Sequence, residues 1–225
     1  MSVYSGQAIR VSELSNGVLE LTFDLQGESA NKFNALTLKE LGEAWDAIEK
    51  KAPRGVLLTS GKDSGFIMGA DITEFTGYFA KPDAEIEKWM WGTQTLFNRI
   101  EDAKFPVIVA INGFALGGGF EVCLAAHMRV AAVTAKIGLP ETKLGIIPGW
   151  GGTVRLSRLA GADNAIEWIC GGNHNKAAEG LKIGALDAIC APEQLKKVAT
   201  QMLDDCIAGK LDWKIRRSMK TDPLK

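Results

Sequence analysis

Residues 106–121, PVIVAINGFALGGGFE, decide how the chain folds. Val107 to Asn112 suits a buried strand, and Gly113 ends it. Phe114-Ala115-Leu116 leads to three successive glycines, Gly117, Gly118 and Gly119. Phe120 to Ala126 then has the composition of a helix, with Glu121 in its first turn. A strand that passes through a bare turn into a helix leaves unpaired N–H groups and the positive end of the helix dipole at that turn. Glycine lets a ligand approach such a backbone closely. On its own the stretch is also readable as a tight turn before a helix.

Upstream, residues 8–14 and 17–24 alternate like two strands, and Asn16-Gly17 between them is a hairpin signal. Leu38, Leu41, Ala44, Trp45 and Ile48 recur at helical spacing, with Thr37 placed as N-cap. Arg54 to Ser60 reads as a third strand, followed by a glycine-punctuated turn over Gly61 to Asp71. Ile72 to Phe79 predicts a short helix. Pro82 opens a longer one, with Ile86, Trp89, Leu96, Phe97 and Ile100 on one face. Downstream, Met128 to Val133 and Ala188 to Cys190 read as strands. Thr153 to Leu159, Asp163 to Ile169, Lys176 to Gly180 and Glu193 to Ile207 read as helices, and Pro148 to Gly152 as a turn. Strands alternating with helices predict an α/β protein. No internal repeat appears. The tail LDWKIRRSMKTDPLK is basic with little apolar periodicity, which predicts a linker.

The chain has 225 residues, 46% of them hydrophobic and 24% charged, with a formal net charge of −1. That length can bury a substantial core. The charge balance gives no footprint for nucleic acid. No apolar run approaches the roughly 20 residues of a spanning helix. The N-terminus lacks a signal pattern, which predicts a cytoplasmic location. Cys123, Cys170, Cys190 and Cys206 form no CxxC pair and are expected as buried free thiols. With His127 and His174 they make no ligand spacing, so no metal site is expected. His127, which ends the helix of Glu121, reads as a C-terminal charge or a core residue.

Two glycine turns that each follow a strand carry the chemistry: Met68-Gly69-Ala70-Asp71 and Gly117-Gly118-Gly119. If they converge, one N–H from each makes an oxyanion hole, which stabilises charge developing on a carbonyl. Neither GxxxxGK[ST] nor GxGxxG occurs in the glycine-rich loop. Glu121 and Glu141 both stand in glycine- or proline-rich turns. In an apolar pocket a carboxylate has its pKa raised and exchanges protons near neutrality. Outside one, Glu121 is a helix N-terminal charge and Glu141 a loop charge. Trp45, Trp89 and Trp168 are expected in a core or interface, while Trp150 is placed to flank a pocket.

Three motifs in order, GFIMGADITEF, PVIVAINGFALGGGFEVCLAAHMRVA and IGLPETKLGIIPGWGGTVRLSRLAG, resemble the enoyl-CoA hydratase/isomerase (crotonase) superfamily over residues 10–200. FDLQGESANKFNALTL and GADNAIEWICGG resemble one branch of it, the α subunits of bacterial fatty-acid oxidation complexes, which are multifunctional. The resemblance implies a crotonase-like spiral of ββα units with surrounding helices. It implies a hydratase/isomerase domain over residues 1–190, and a C-terminal helix and linker over 191–225 toward an absent 3-hydroxyacyl-CoA dehydrogenase part.

By the same resemblance, Ala70 and Gly118 supply the oxyanion-hole amides for an acyl-CoA thioester, and Glu121 and Glu141 are the catalytic acids. Met68, Gly69, Asp71, Ile72 and Gly117 would contact the substrate or its CoA. Met68 stands where many relatives have a small residue. Lys32 is offset by one from a lysine often found before the LNAL-type motif, so a contact with CoA phosphates is not carried over. The implied reaction is hydration of 2-trans-enoyl-CoA with Δ3/Δ2 isomerisation in β-oxidation. It needs no metal or redox cofactor in this domain; NAD would serve the absent dehydrogenase part. The longer chain would pair with a 3-ketoacyl-CoA thiolase β subunit in an α2β2 complex. Rival readings are thioester hydrolysis on the same fold and a non-catalytic acyl-CoA-binding module.

Overall fold

The computed structural model describes residues 1–63 and 65–222. Ser64, inside the expected turn, and residues 223–225 of the expected linker lie outside the described residues. The chain opens with β1 (Ser2–Ser5), β2 (Ile9–Glu13) and β3 (Val18–Phe23), then α1 (Ala35–Lys51). β4 (Gly55–Ser60), β5 (Gly65–Ile67), α2 (Phe75–Phe79) and α3 (Asp83–Glu101) follow. Next come β6 (Val107–Ile111), β7 (Phe114–Leu116), α4 (Gly118–Ala125), β8 (Met128–Ala132) and β9 (Lys136–Gly138). The rest is α5 (Gly152–Ala160), α6 (Ala162–Gly171), β10 (Asn175–Lys176), α7 (Ala177–Lys182), β11 (Ala188–Cys190), α8 (Leu195–Ile207) and α9 (Trp213–Thr221).

The strands form two sheets, β1-β2-β3-β4-β6-β8-β11 and β10-β9-β7-β5. From β3 to β11 the large sheet is parallel, as are β5, β7 and β9 in the small one. Three consecutive strand pairs, β4/β5, β6/β7 and β8/β9, each give one strand to each sheet before the chain goes helical. This is the ββα spiral expected of a crotonase-like fold. The repeat is geometric and leaves no repeat in the sequence, because each turn packs against different neighbours.

Alternation along the parallel strands sets two cores. Val56, Leu58, Val107, Val109 and Ile111 join the main core with Phe23, Trp45 and Phe97. Leu57, Ile108 and Ala110 face the other way, toward Leu195, Ala199 and Leu203 of α8. Residues beyond 190 therefore pack on the same sheet as those before it. Among the described residues no helix is long and apolar enough to cross a membrane.

Several local expectations are corrected. The cap of α1 is Asn34, whose side chain accepts from the Thr37 N–H, so Thr37 lies inside the helix. An unforeseen β1 pairs with β2. Gly65–Ile67 is a strand rather than part of a turn, paired parallel with β7. The tail is helix α9 from Trp213 to Thr221, not a linker. All four thiols are free, but Cys170 is exposed and Cys190 half-buried; Cys123 and Cys206 are buried. Asn16 and Gly17 both take positive φ (58° and 74°), the backbone of the hairpin turn read from their sequence. His127 is a core residue. Its Nδ1 accepts from the Val107 N–H, and burial pushes its pKa down to about 3.

Candidate active site

Parallel neighbours β5, β7 and β9 each end in a segment singled out above. Met68 to Asp71 follows β5, Gly117 to Glu121 follows β7, and Leu139 to Glu141 follows β9. Parallel pairing puts the three carboxyl ends side by side, where α/β sheets hold ligands. A side-chain carbon built on Gly117 would lie 3.9 Å from the Gly69 Cα and 3.2 Å from Glu141 Oε1. The three segments therefore meet.

Gly117 has φ 51° and ψ −129°, a conformation suited to glycine. Its N–H donates to the Gly138 carbonyl, and its own carbonyl accepts from the Phe120 and Glu121 amides, starting α4. Gly118 is the first residue of α4, where amides have no partner within the helix. A Cβ on Gly118 would lie 2.4 Å from the Trp150 ring, so only glycine fits there. Facing it, Phe33 makes an isolated bridge with Ala70. The Phe33 N–H donates to the Gly69 carbonyl and the Asp71 N–H to the Phe33 carbonyl. The Ala70 N–H between them is left outside that ladder.

Glu121 is fully buried behind the first turn of α4. Its Oε1 accepts from the Trp150 and Gly152 amides, both at 2.8 Å. Burial, then the neighbouring charge of Glu141, push its pKa up to about 8, while the two amides pull the other way. Glu141 is buried in the short 3-10 turn Pro140–Leu144, and its Oε2 has no hydrogen-bond partner. Burial pushes it up to about 7. Both acids therefore exchange protons near neutrality, the condition set for acid–base work.

A cavity of about 840 Å³ gathers these groups. Met68, Gly69, Ala70, Ile72, Gly117, Gly118, Glu121 and Glu141 all line it. Asp71 does not. Its carboxylate caps the turn at Thr73 and pairs with Lys32 Nζ at 3.0 Å, which also ties down that lysine. Sequence reasoning missed the amides of Trp150 and Gly152 as the clamp on Glu121; the PGWGG run was the available signal. It also missed the apolar part of the wall given by Phe75, Phe79, Met90 and Ile147. Trp150 both lines the cavity and packs edge-on against Phe33, Trp89 and Phe97. Trp45 and Trp168 are in the core, as expected, and Trp89 packs against it half-buried. Among the described residues, no three His, Cys, Asp or Glu side chains converge as a metal site would.

The chain is similar to known proteins. A family profile described as enoyl-CoA hydratase/isomerase matches residues 13–218. The fatty acid oxidation complex subunit alpha of Pseudomonas paraeruginosa is 55% identical over 224 residues, 99% of this chain and 31% of that protein. The chain thus spans under a third of the length of that curated relative. The crystal structure of an enoyl-CoA hydratase from Bacillus anthracis is 33% identical, with a TM-score of 0.82, over 95% of this chain and 81% of that one. A Magnetospirillum magneticum enoyl-CoA hydratase/carnitine racemase shares the fold at TM-score 0.84 and 21% identity, over 96% of this chain and 79% of that one. The profile covers most of the chain, and with the ββα spiral it shows that this chain belongs to the enoyl-CoA hydratase/isomerase family.

Proposed function

We propose that this chain hydrates 2-trans-enoyl-CoA to 3-hydroxyacyl-CoA and moves Δ3 double bonds to Δ2, as steps of fatty-acid β-oxidation. One observation carries the reading. Two buried carboxylates with raised pKa values face one cavity beside two backbone amides, all delivered by adjacent parallel strands.

The thioester oxygen sits between the Ala70 and Gly118 N–H groups. Those donors, one at a helix start, stabilise the charge that reaches the oxygen as C3 is attacked. Glu121 and Glu141 hold the water. One takes its proton as the oxygen bonds to C3, and the other governs the proton delivered to C2. The C2–C3 double bond is consumed and the step is redox-neutral, so NAD has no part in it. In isomerisation Glu141, whose Oε2 is free to take a proton, shuttles it between C2 and C4. Met68, Gly69, Ile72 and Gly117 flank the substrate, and the CoA portion adds binding energy away from the reacting carbons.

The likeness to complex α subunits extends the proposal to a longer chain. There the domain over residues 1–190 and the helices beyond it would lead to a 3-hydroxyacyl-CoA dehydrogenase part using NAD, in an α2β2 assembly with a thiolase. The test is loss of the conjugated enoyl-thioester absorbance. The wild type should turn over. Glu121→Gln and Glu141→Gln should each lose several orders of magnitude while keeping CoA-ester binding. Full activity in either variant contradicts the proposal.

A further inference from the structure

Helix α9 docks through cations. Arg216 pairs with the buried Asp187 at 2.8 Å, Arg217 with Asp102, and Lys220 with Glu101 Oε1 at 2.9 Å. The Trp213 ring meets the His127 ring at 4.5 Å. Lys220 differs from the two arginines in being fully buried. Its Nζ donates to the carbonyls of Leu124, Ala125 and Ala126 at 3.0, 3.1 and 3.0 Å. These are carbonyls that a helix C-terminus leaves unpaired, and a cation there suits the dipole. The helix they end is α4, whose first turn carries Gly118 and Glu121.

A second link runs from the same ammonium. Glu101 Oε2 accepts from Arg155 Nε at 2.9 Å. Arg155 Nη1 donates to the Trp150 carbonyl at 3.0 Å and Nη2 to Asn98 Oδ1 at 2.6 Å. The Trp150 N–H is one of the two amides that hold Glu121. Lys220 is thus joined to Glu121 both through the body of α4 and through the loop that grips the carboxylate. Burial pushes the Lys220 amine down to about 8. Glu101 pulls it back up, and Arg129 and Arg155 add to the lowering. A buried pair of this kind is a weak stabiliser, which favours a role in placement.

The geometry points to Lys220 as a positioning residue: it clamps the end of α4 and, through Glu101 and Arg155, the Trp150–Gly152 loop, and so sets where the Glu121 carboxylate stands. This rests on the hydration reading above. It is tested on the full chain with Lys220→Met, Glu101→Gln and, as an α9 contact outside the two links, Arg217→Gln, whose partner Asp102 is half-exposed. In Lys220→Met, hydrogen exchange at the Trp150 and Gly152 amides should speed up about tenfold relative to β2 and β3, and kcat should fall about 10- to 100-fold with KM within about twofold. Arg217→Gln should leave both readouts unchanged.

Wild-type exchange at the two amides in a folded Lys220→Met, or a loss confined to Tm, overturns the inference. Equal acceleration in Arg217→Gln also overturns it, since any loosening of α9 would then suffice. If Lys220→Met does not fold, Glu101→Gln decides by the same exchange readout. If the wild type does not hydrate enoyl-CoA, the functional reading fails, and exchange alone still judges the role of Lys220.

Discussion

Two regions of this molecule bury a carboxylate against backbone amides, to different ends. At the start of the large sheet, Glu40 from α1 accepts the N–H groups of Gln7, Ala8 and Ile9 at 2.8–3.0 Å, using both oxygens. Both oxygens are taken up by the backbone. At the carboxyl ends of β7 and β9, Glu121 uses one oxygen for two amides, and Glu141 leaves Oε2 without a partner. That pair faces a cavity of about 840 Å³. A saturated carboxylate is a structural anchor. A carboxylate held by one oxygen beside an orphaned partner is placed for chemistry.

The largest effect that can break this contrast is on turnover. Glu121→Gln and Glu141→Gln should each lower hydration by about 10³-fold or more, and the double variant should be little worse than either, because the acids act as a unit. Steady-state kinetics on the three variants checks this; additive losses would separate their roles. Next, Gly118→Ala should lower kcat about 10²-fold, since the new Cβ drives at the Trp150 ring 2.4 Å away and so at the amide that holds Glu121. Glu40→Ala should do the reverse, costing about 3 kcal/mol in urea unfolding while the folded protein keeps its kcat.

The smallest effect is in pH. Glu121 and Glu141 titrate near 8 and 7 when folded, against an ordinary 4.5. Between about 4.5 and 8 the folded chain holds protons that the unfolded chain has released, so this contribution to stability is lost as pH rises through that window. Glutamine, neutral throughout, removes the cost. The Tm of Glu121→Gln should exceed that of the wild type by a few degrees at pH 8, and the difference should close near pH 4.5. A constant difference across the range would show that the acids are not buried against their charge.

The sequence made one side of this contrast legible. Gly117–Glu121 could be read because a parallel strand is apolar throughout, the turn needs glycines, and the acid falls in the first helical turn. Glu141 was legible from its motif. That β5, β7 and β9 lie side by side was not, since pairing partners are 20–50 residues apart and β5 is only three residues long. Helix α9 escaped because its docking face is cationic: Trp213, Arg216, Arg217 and Lys220 recur at helical spacing, but three of them meet acids rather than an apolar core. Asn34 and Thr37 are both good caps by type, and only the Asn34 side chain bonding to the Thr37 N–H chooses between them. Glu40 gave no signal, since its partners lie more than 30 residues upstream.

The most direct test of the central claim, that the paired acids add water across a thioester-conjugated double bond, is where the proton goes. In heavy water the wild type should convert 2-trans-enoyl-CoA to 3-hydroxyacyl-CoA carrying deuterium at C2, and Glu121→Gln and Glu141→Gln should each suppress that product. Release of free CoA thiol in place of a deuterated 3-hydroxyacyl thioester, or a deuterated product undiminished in either variant, would contradict the account.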